Sequence, residues 1–571
     1  MTSQKTLIKE LQEIFDEGFS SVLNDAIVSE ITLSNRPEFG QFQCNSAMRY
    51  AKEAKMNPRA LAEKVIACIQ DNSPLHTLSI QGPGFINFSL EDAFLADILK
   101  KTPPDYIPPL GMGKSVVLDF GGPNMAKAMH VGHLRSCIIG ESLQRLYKAF
   151  GYTTISDVHL GDWGLPMGML LVGLEKDNIS IDDISITLLE ELYPKMALLC
   201  KDDESLRQKA REYTARLQKK EDPFYDVWKK MRAVSLDMIQ ENFKRLQVHF
   251  DHYFGESHAQ DGLESLTNLL NKKGLLELDE GAHIIHVEKE DDKKPVPPLM
   301  IQNRDGGATY GATDLETLRW RAHEFSPEEI LYVVDQRQHL HFEQVFRAYK
   351  RFDPSSHLCL KHVGFGTLNG PDNKPFKTRD GGVMRLEMLL DMVLEQAKMR
   401  LDEGGKEYEE EEKNHIAQCI MLATLKFADL STPRLSDYIF DVDKFSSFQG
   451  FTGPYLLYTH VRITALLKKH GSEVDLSHLS LPVSSEEREL MILLTRMNDT
   501  ALKALEEAAP HLLCHYAYDV AQAFSTFYAH HPILSEQDKE RKNHLLALSL
   551  YTQKILQKLL FILGIPIPER M

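Results

Sequence analysis

Residues 116–136, VVLDFGGPNMAKAMHVGHLRS, constrain this chain more than any other segment. A continuous apolar run stops at a Gly/Pro/Asn loop, and two histidines three apart stand where a helical pattern begins. Such a run between turn signals predicts a buried strand, VVLDF. Leu134, Ile138, Ile139, Leu143, Leu146 and Phe150 then recur at three- and four-residue spacing, predicting a helix from about Gly132 to Phe150 that Gly151 closes. The run YTTISDVHL, ending at GDWG, predicts a second strand. Strand, helix and strand in this order make a βαβ unit of a parallel sheet, with AHIIHVE, ILYVVD and LKHVGFG supplying later strands. The fold class is α/β, with a Rossmann-like parallel-sheet domain at its centre.

A chain of 571 residues exceeds one ordinary core and leaves room for flanking domains. The amphipathic start LIKELQEIFDEGF, the helical PRALAEKVIACIQ and the alternating LSIQGPGFINFSL predict an N-terminal α+β domain over residues 1–105. TPPDYIPPLGMGK reads as a linker into a sheet domain spanning 106–405, with a charged helical insertion at about 175–245. Beyond the acidic MRLDEGGKEYEEEEK the pattern is almost wholly helical, which predicts an all-α bundle over 406–571.

The longest apolar stretches, MGMLLVGL and LLFILGIPI, are far shorter than a membrane span, and the N-terminus is unlike a signal or transit peptide. No transmembrane helix is expected, and a cytoplasmic location follows. Seven cysteines are scattered singly without zinc spacing, so no structural zinc is expected. The HxH of His339 and His341 lacks a third ligand. A net charge of −17 argues against indiscriminate polyanion binding but leaves room for one basic groove that takes RNA.

The chemistry begins at His130, Gly132 and His133. A helix start presents free N–H groups and a positive dipole end, Gly132 permits close backbone approach, and two imidazoles can donate to phosphoryl oxygens as charge builds up at an α-phosphate. Two histidines three apart also occur as ordinary polar groups at a helix end; here the strand before them and the amphipathic helix after them favour a phosphate site. KPFKTR places Lys374 and Lys377 on a Gly/Pro-bounded loop, which is either an exposed basic turn or a carrier of charge to a departing pyrophosphate. Tyr310 and Asp314 stand four apart, so a helix over them would put both on one face. A carboxylate with further acceptors suits a planar guanidinium, although Asp314 could equally cap the helix LETLRWRAHEF. Gln338 follows strand ILYVVD at the ligand-binding end of the sheet.

With PNMAKAMHVGHLRS, GDWG, TYGATD, QHLHFEQVF, KPFKTRDGG, FADLSTPRLSDYIFD and PERM in this order, the chain resembles the arginine-specific branch of the class I aminoacyl-tRNA synthetases over nearly its whole length. The resemblance implies ATP, with its Mg2+, L-arginine and tRNA(Arg) as partners. It also implies a two-step reaction: the arginine carboxylate attacks the α-phosphate to give arginyl-adenylate and pyrophosphate, then the 2′-hydroxyl of the tRNA 3′-terminal adenosine takes the arginyl group and AMP leaves. Activation is implied to need bound tRNA.

The resemblance gives Lys374 and Lys377 the lysine positions of the family's degenerate KMSKS loop, with Lys127 supplying part of the missing charge. It places Asn124, His133, Tyr310, Asp314 and Gln338 around arginine, with Asp119 as a further acidic contributor. GGPN stands where relatives carry a Ser or Ala at one or both glycines; Gly122, next to Pro123, can still offer its backbone. Trp163 of GDWG is expected in a packed turn beside the site. For RNA, Phe85 and Asn87 of GPGFINF are implied to face the tRNA elbow, and Tyr455, Tyr458 and Arg462 of FTGPYLLYTHVR the anticodon. A monomer is the family default. The competing readings are a class I synthetase for another amino acid, an idle synthetase-like RNA-binding protein and a small HxGH nucleotidyltransferase.

Overall fold

The computed structural model describes residues 6–34, 36–69, 74–304, 306–370, 374, 376 and 384–571. The apolar run VVLDF lies in strand Ser115–Phe120, one of the two inner strands of a four-stranded parallel sheet ordered Cys359–His362, Glu329–Val333, Ser115–Phe120, Thr153–Asp157. The chain runs first to Thr153–Asp157 and later returns on the other side at Glu329–Val333. The order therefore reverses between Ser115–Phe120 and Glu329–Val333, the point at which open parallel sheets take ligands. There Phe120 pairs with Val333, so the loops after both strands leave the sheet side by side.

Helix Val131–Ala149 links the first two strands. Its predicted apolar stripe is buried, but so are the polar residues Arg135, Glu141 and Gln144, the first of them inside that stripe. Periodicity marks a sheltered face but not its neighbour: helix Glu410–Leu430 packs on this helix, with Asp429 Oδ2 3.1 Å from Arg135 Nε. Gly140 is where this helix meets the sheet, since a Cβ there would lie 2.2 Å from the Phe120 ring.

Two expectations change. Ala282–Ile285 joins Glu277–Asp279 and Leu299–Gln302 in a separate antiparallel sheet rather than the parallel one. Its apolar face packs on helix Tyr310–Phe325, whose other side meets the parallel sheet through Leu315, Leu318 and Tyr332. The second change concerns helix Glu410–Leu430, which packs against Leu386–Glu403 and Val131–Ala149 instead of opening the C-terminal bundle.

Contacts divide the chain into two compact units. One holds Pro109–Pro454 with Phe561–Pro568, and includes the insertion helices Ile186–Asp202, Glu204–Gln218 and Phe224–Leu246. The other holds Met1–Pro108 with Tyr455–Leu560 and Glu569–Met571. In it the antiparallel sheet Ile31–Leu33, Phe42–Cys44, Phe85–Leu90, Leu75–Gln81 shares a core with helices Leu7–Leu23 and Pro58–Ile69. Arg488 of the helical part of this unit donates to Asp92 Oδ1 and to the carbonyl of Leu90, both at 2.7 Å. Helix Lys539–Ile562 is long and apolar enough to cross a bilayer, and 67% of its apolar window is buried. Burial at that level is how a core helix satisfies its apolar surface.

Candidate active site

The loop from Gly121 to His130 crosses the sheet's carboxyl end. Gly121 and Gly122 have φ of +88° and +25°, backbone that residues with a Cβ adopt only under strain, so glycine at both positions is what the turn requires. Pro123 is buried, and its carbonyl accepts from Gly161 N at 3.1 Å while Gly161 O accepts from Met125 N. This ties the loop to GDWG and leaves Gly122 and Asn124 exposed at the sheet edge. Trp163 is packed, donating from Nε1 to Gln260 Oε1 and lying edge-on to Trp228.

His130 caps helix Val131–Ala149. Its Nδ1 accepts from Gly132 N, and His133 Nδ1 accepts from His130 N, both at 3.0 Å. A ring nitrogen that accepts a backbone N–H carries no proton, so in both rings the proton sits on Nε2. Burial, and then the neighbouring His130, pulls His133 down to about 3; burial and then Lys127 lower His130 as well. The motif is thus a pair of neutral imidazoles, ring centroids 4.0 Å apart, each with an Nε2–H donor free of the capping bonds.

The lysine loop is laced to this helix start. Val131 N donates to Met384 O and Leu386 N to Met129 O, and His130 and Arg385 form an antiparallel bridge. At the loop's other end Gly370 N donates to Lys374 O, and Met384 N reaches back to Phe376 O. Lys374 is exposed, whereas Lys377 lies outside the described residues. Lys127 is exposed with its Nζ 4.4 Å from the Tyr193 ring centroid.

On the other side of the switch point, Tyr310 opens helix Tyr310–Phe325 and is 64% exposed. Thr309 is the N-cap residue, so Asp314 is not a cap. Asp314 Oδ2 lies 2.5 Å from His341 Nε2, and its Oδ1 lies 4.0 Å from His159 Nε2. The ring nitrogens of His159 are buried and lack a hydrogen-bond partner among the described residues. Gln338 is exposed at the turn before helix His339–Phe352. The two histidines of HxH serve different neighbours, since His339 Nδ1 faces His362 Nδ1 at 3.2 Å.

Two findings alter the sequence picture of this end. Asp119 is buried and bound to Arg321, Oδ2 to Nη1 at 2.7 Å, while Asp157 takes the other arm at 2.6 Å. Both carboxylates hold Arg321 in its charged form, so Asp119 supports the sheet end rather than offering an acceptor to a substrate. Conversely, Glu256 was not legible. Burial, then the charges of Asp314 and Asp162, push its carboxyl up to about 8, and it in turn acts on Tyr310. Asp314, Glu256 and the Tyr310 phenol thus act on one another's charge, a grouping of acceptors suited to a delocalised cation.

Of the residues expected to meet RNA, Phe85 is half-buried on strand Phe85–Leu90, while Asn87 is buried, its Oδ1 accepting from Ser34 Oγ at 3.3 Å. Phe85 is therefore the accessible member. On helix Gly453–His470, Tyr458 is 44% exposed, Arg462 stacks over the Tyr528 ring at 4.3 Å, and Tyr455 meets Ser525 Oγ at 3.1 Å.

Comparison with known proteins bears on the same features. Residues 100–442 match the family described as tRNA synthetases class I (R), catalytic domain; residues 456–571 match the DALR anticodon binding domain; residues 2–90 match the arginyl tRNA synthetase N terminal domain. An arginine–tRNA ligase of Agathobacter rectalis is 39% identical over 99% of this chain and 100% of its own. The arginyl-tRNA synthetase of Plasmodium falciparum superposes with a TM-score of 0.86 at 26% identity, each chain covered in full. The fold is also that of the Thermus thermophilus arginyl-tRNA synthetase, with a TM-score of 0.81 at 20% identity over 99% of this chain and 100% of that one.

Proposed function

Since this chain belongs to the arginyl-tRNA synthetase family, a class I aminoacyl-tRNA ligase that joins arginine to tRNA with ATP, we propose how its residues divide that work. Tyr310, Asp314 and Glu256 take the guanidinium; Asn124, Gln338 and the Gly122 backbone orient the α-amino and carboxylate groups. The triphosphate lies at the start of helix Val131–Ala149, where the helix dipole and the Nε2–H groups of His130 and His133 meet charge that grows on the α-phosphate. Lys127, Lys374 and Lys377 neutralise the departing pyrophosphate, and Mg2+ enters with ATP. No side chain need act as nucleophile: the arginine carboxylate attacks, and positioning with charge stabilisation supplies the acceleration.

The observation that carries this reading is that Asp314, held by His341 from the segment after Glu329–Val333, and the two proton-bearing imidazoles, from the segment after Ser115–Phe120, stand beyond neighbouring strands of one sheet. For tRNA, Phe85 and Asn87 in residues 1–105 are assigned to the elbow, and Tyr455, Tyr458 and Arg462 in residues 406–571 to the anticodon. The burial of Asn87 gives Phe85 the larger share. The same reading makes the enzyme a cytoplasmic monomer. ATP–pyrophosphate exchange with each of the twenty amino acids, with and without tRNA, tests it. Exchange is expected with arginine alone and only when tRNA is present; equal exchange with another amino acid overturns the pocket assignment.

A further inference from the structure

We propose that helix Ile186–Asp202, in the insertion, is a working wall of the site, with Glu190 and Tyr193 as positioning residues for two cations that serve the triphosphate, Arg385 and Lys127. Glu190 Oε2 lies 2.9 Å from Arg385 Nη2, with Glu190 12% and Arg385 48% exposed. Three residues on, on the same helical face, the Tyr193 ring lies under Lys127 Nζ at 4.4 Å. One turn of the insertion thus holds a cation beside each phosphate element. Arg385 follows Met384, whose carbonyl accepts from Val131 N, and Lys127 lies three residues before His130.

Tyr193 packs on the cluster containing Met125, Ala126 and Trp163, and its phenol is among the groups that raise Tyr310. Pro194 lies inside the helix and has no N–H to give the carbonyl of Glu190, so the ladder is open at this turn. Glu190 takes one arm of the Arg385 guanidinium and Glu387 Oε1 lies 3.5 Å from the other, so two of its five N–H groups are engaged, while a ring face holds the Lys127 ammonium and leaves its three protons free. What the helix contributes is order: two long side chains that would otherwise sample many rotamers are held near the place where a polyanion arrives.

The inference rests on the phosphate site proposed above, and one variant series separates the two. In Glu190→Ala and Tyr193→Leu the KM for ATP should rise about fivefold or more while the KM for arginine stays within about twofold; Tyr193→Phe, which keeps the ring, should stay within about twofold for both. Lys127→Ala and Arg385→Ala belong in the same series. If Lys127→Ala leaves ATP use unchanged, the phosphate role proposed above for Lys127 is wrong; if only Arg385→Ala leaves it unchanged, Arg385 does not serve the triphosphate and this inference fails. If both impair it while folded Glu190→Ala and Tyr193→Leu do not, or if the ATP KM falls, this inference fails. A rise of both KM values in step with a lower Tm would make the helix an anchor only and would also overturn it.

Discussion

His341 Nε2 lies 2.5 Å from Oδ2 of Asp314, a contact between two helices that fixes one carboxylate oxygen and turns the other toward His159. The carboxylate is thereby oriented before any substrate arrives. Preorganisation of this kind lowers the ordering cost of binding.

Asp314→Asn should therefore lower kcat/KM for arginine about ten- to a hundredfold with ATP use nearly unchanged, because a charge-assisted pair worth roughly 1.5–3 kcal/mol is lost. Helix capping is not at stake, since Thr309 occupies the N-cap position. His341→Ala, which removes only the orienting bond, should raise the arginine KM about three- to tenfold. Near-native arginine dependence in a folded Asp314→Asn enzyme would remove Asp314 from the pocket.

Glu256, placed at the guanidinium, should make arginine binding depend on pH. With its carboxyl raised to about 8 by burial and by Asp314 and Asp162, Glu256 is largely protonated at pH 7. A guanidinium favours the ionised form, so binding releases a proton and tightens as pH rises toward 8, by up to about tenfold per pH unit. The other groups facing this region, Tyr310, Asp314 with its His341 and His159 neighbours, and Asp162, are unchanged in Glu256→Gln, which should flatten the profile. Calorimetry in buffers of different ionisation enthalpy counts the proton directly; no proton release at pH 7 would place Glu256 outside the guanidinium contact.

His133→Ala should slow adenylate formation at least about tenfold without loss of fold, since a donor to the transition state disappears. Because the imidazole is held neutral down to about pH 3, wild-type adenylate formation should show no ionisation from this residue between pH 5 and 8. His133→Gln, whose amide can donate from a similar reach, should recover part of the rate. Single-turnover rates that are normal in His133→Ala would exclude the histidine from the chemistry.

Lys426 gives a stability signature. Its ammonium is 1% exposed and donates to the carbonyl of Gly564 at 2.7 Å, and burial, then Arg145, lowers it to about 7. The folded value lies below that of a solvated lysine, so the unfolded chain binds the extra proton and stability grows as pH rises from about 7 toward 10, by up to about 1.4 kcal/mol per unit. Tm should climb between pH 7 and 9, and Lys426→Met should remove that climb. Parallel curves for the two proteins would show that the lysine is not the group responsible.

Much of this was legible in the sequence because it is local. The strand, loop and helix around His130 follow from apolar spacing, and Tyr310 with Asp314 follows from a four-residue interval on one helix. What was hidden depends on residues far apart along the chain. Asp119 reads like a ligand at a strand end until Arg321, some two hundred positions later, neutralises it. Glu256 carries no pattern of its own, since its character comes from Asp314 and Asp162. His341 stood out only as half of an apparent metal pair, and what covers helix Val131–Ala149 could not be told without Glu410–Leu430. Periodicity says that a face is covered, not by what.

The helix that begins with His130 is held near its other end by residues made far later. Arg145 Nη1 donates to the carbonyl of Phe561 and lies over that ring, and Lys426 binds Gly564. About 400 residues separate Ala149 from these partners. At typical rates of synthesis that distance is a delay of roughly 20–80 s, during which a growing chain carries both histidines but lacks the clamp behind them. A chain that stops short of residue 561 therefore carries the phosphate motif without the Phe561 carbonyl and ring that hold Arg145.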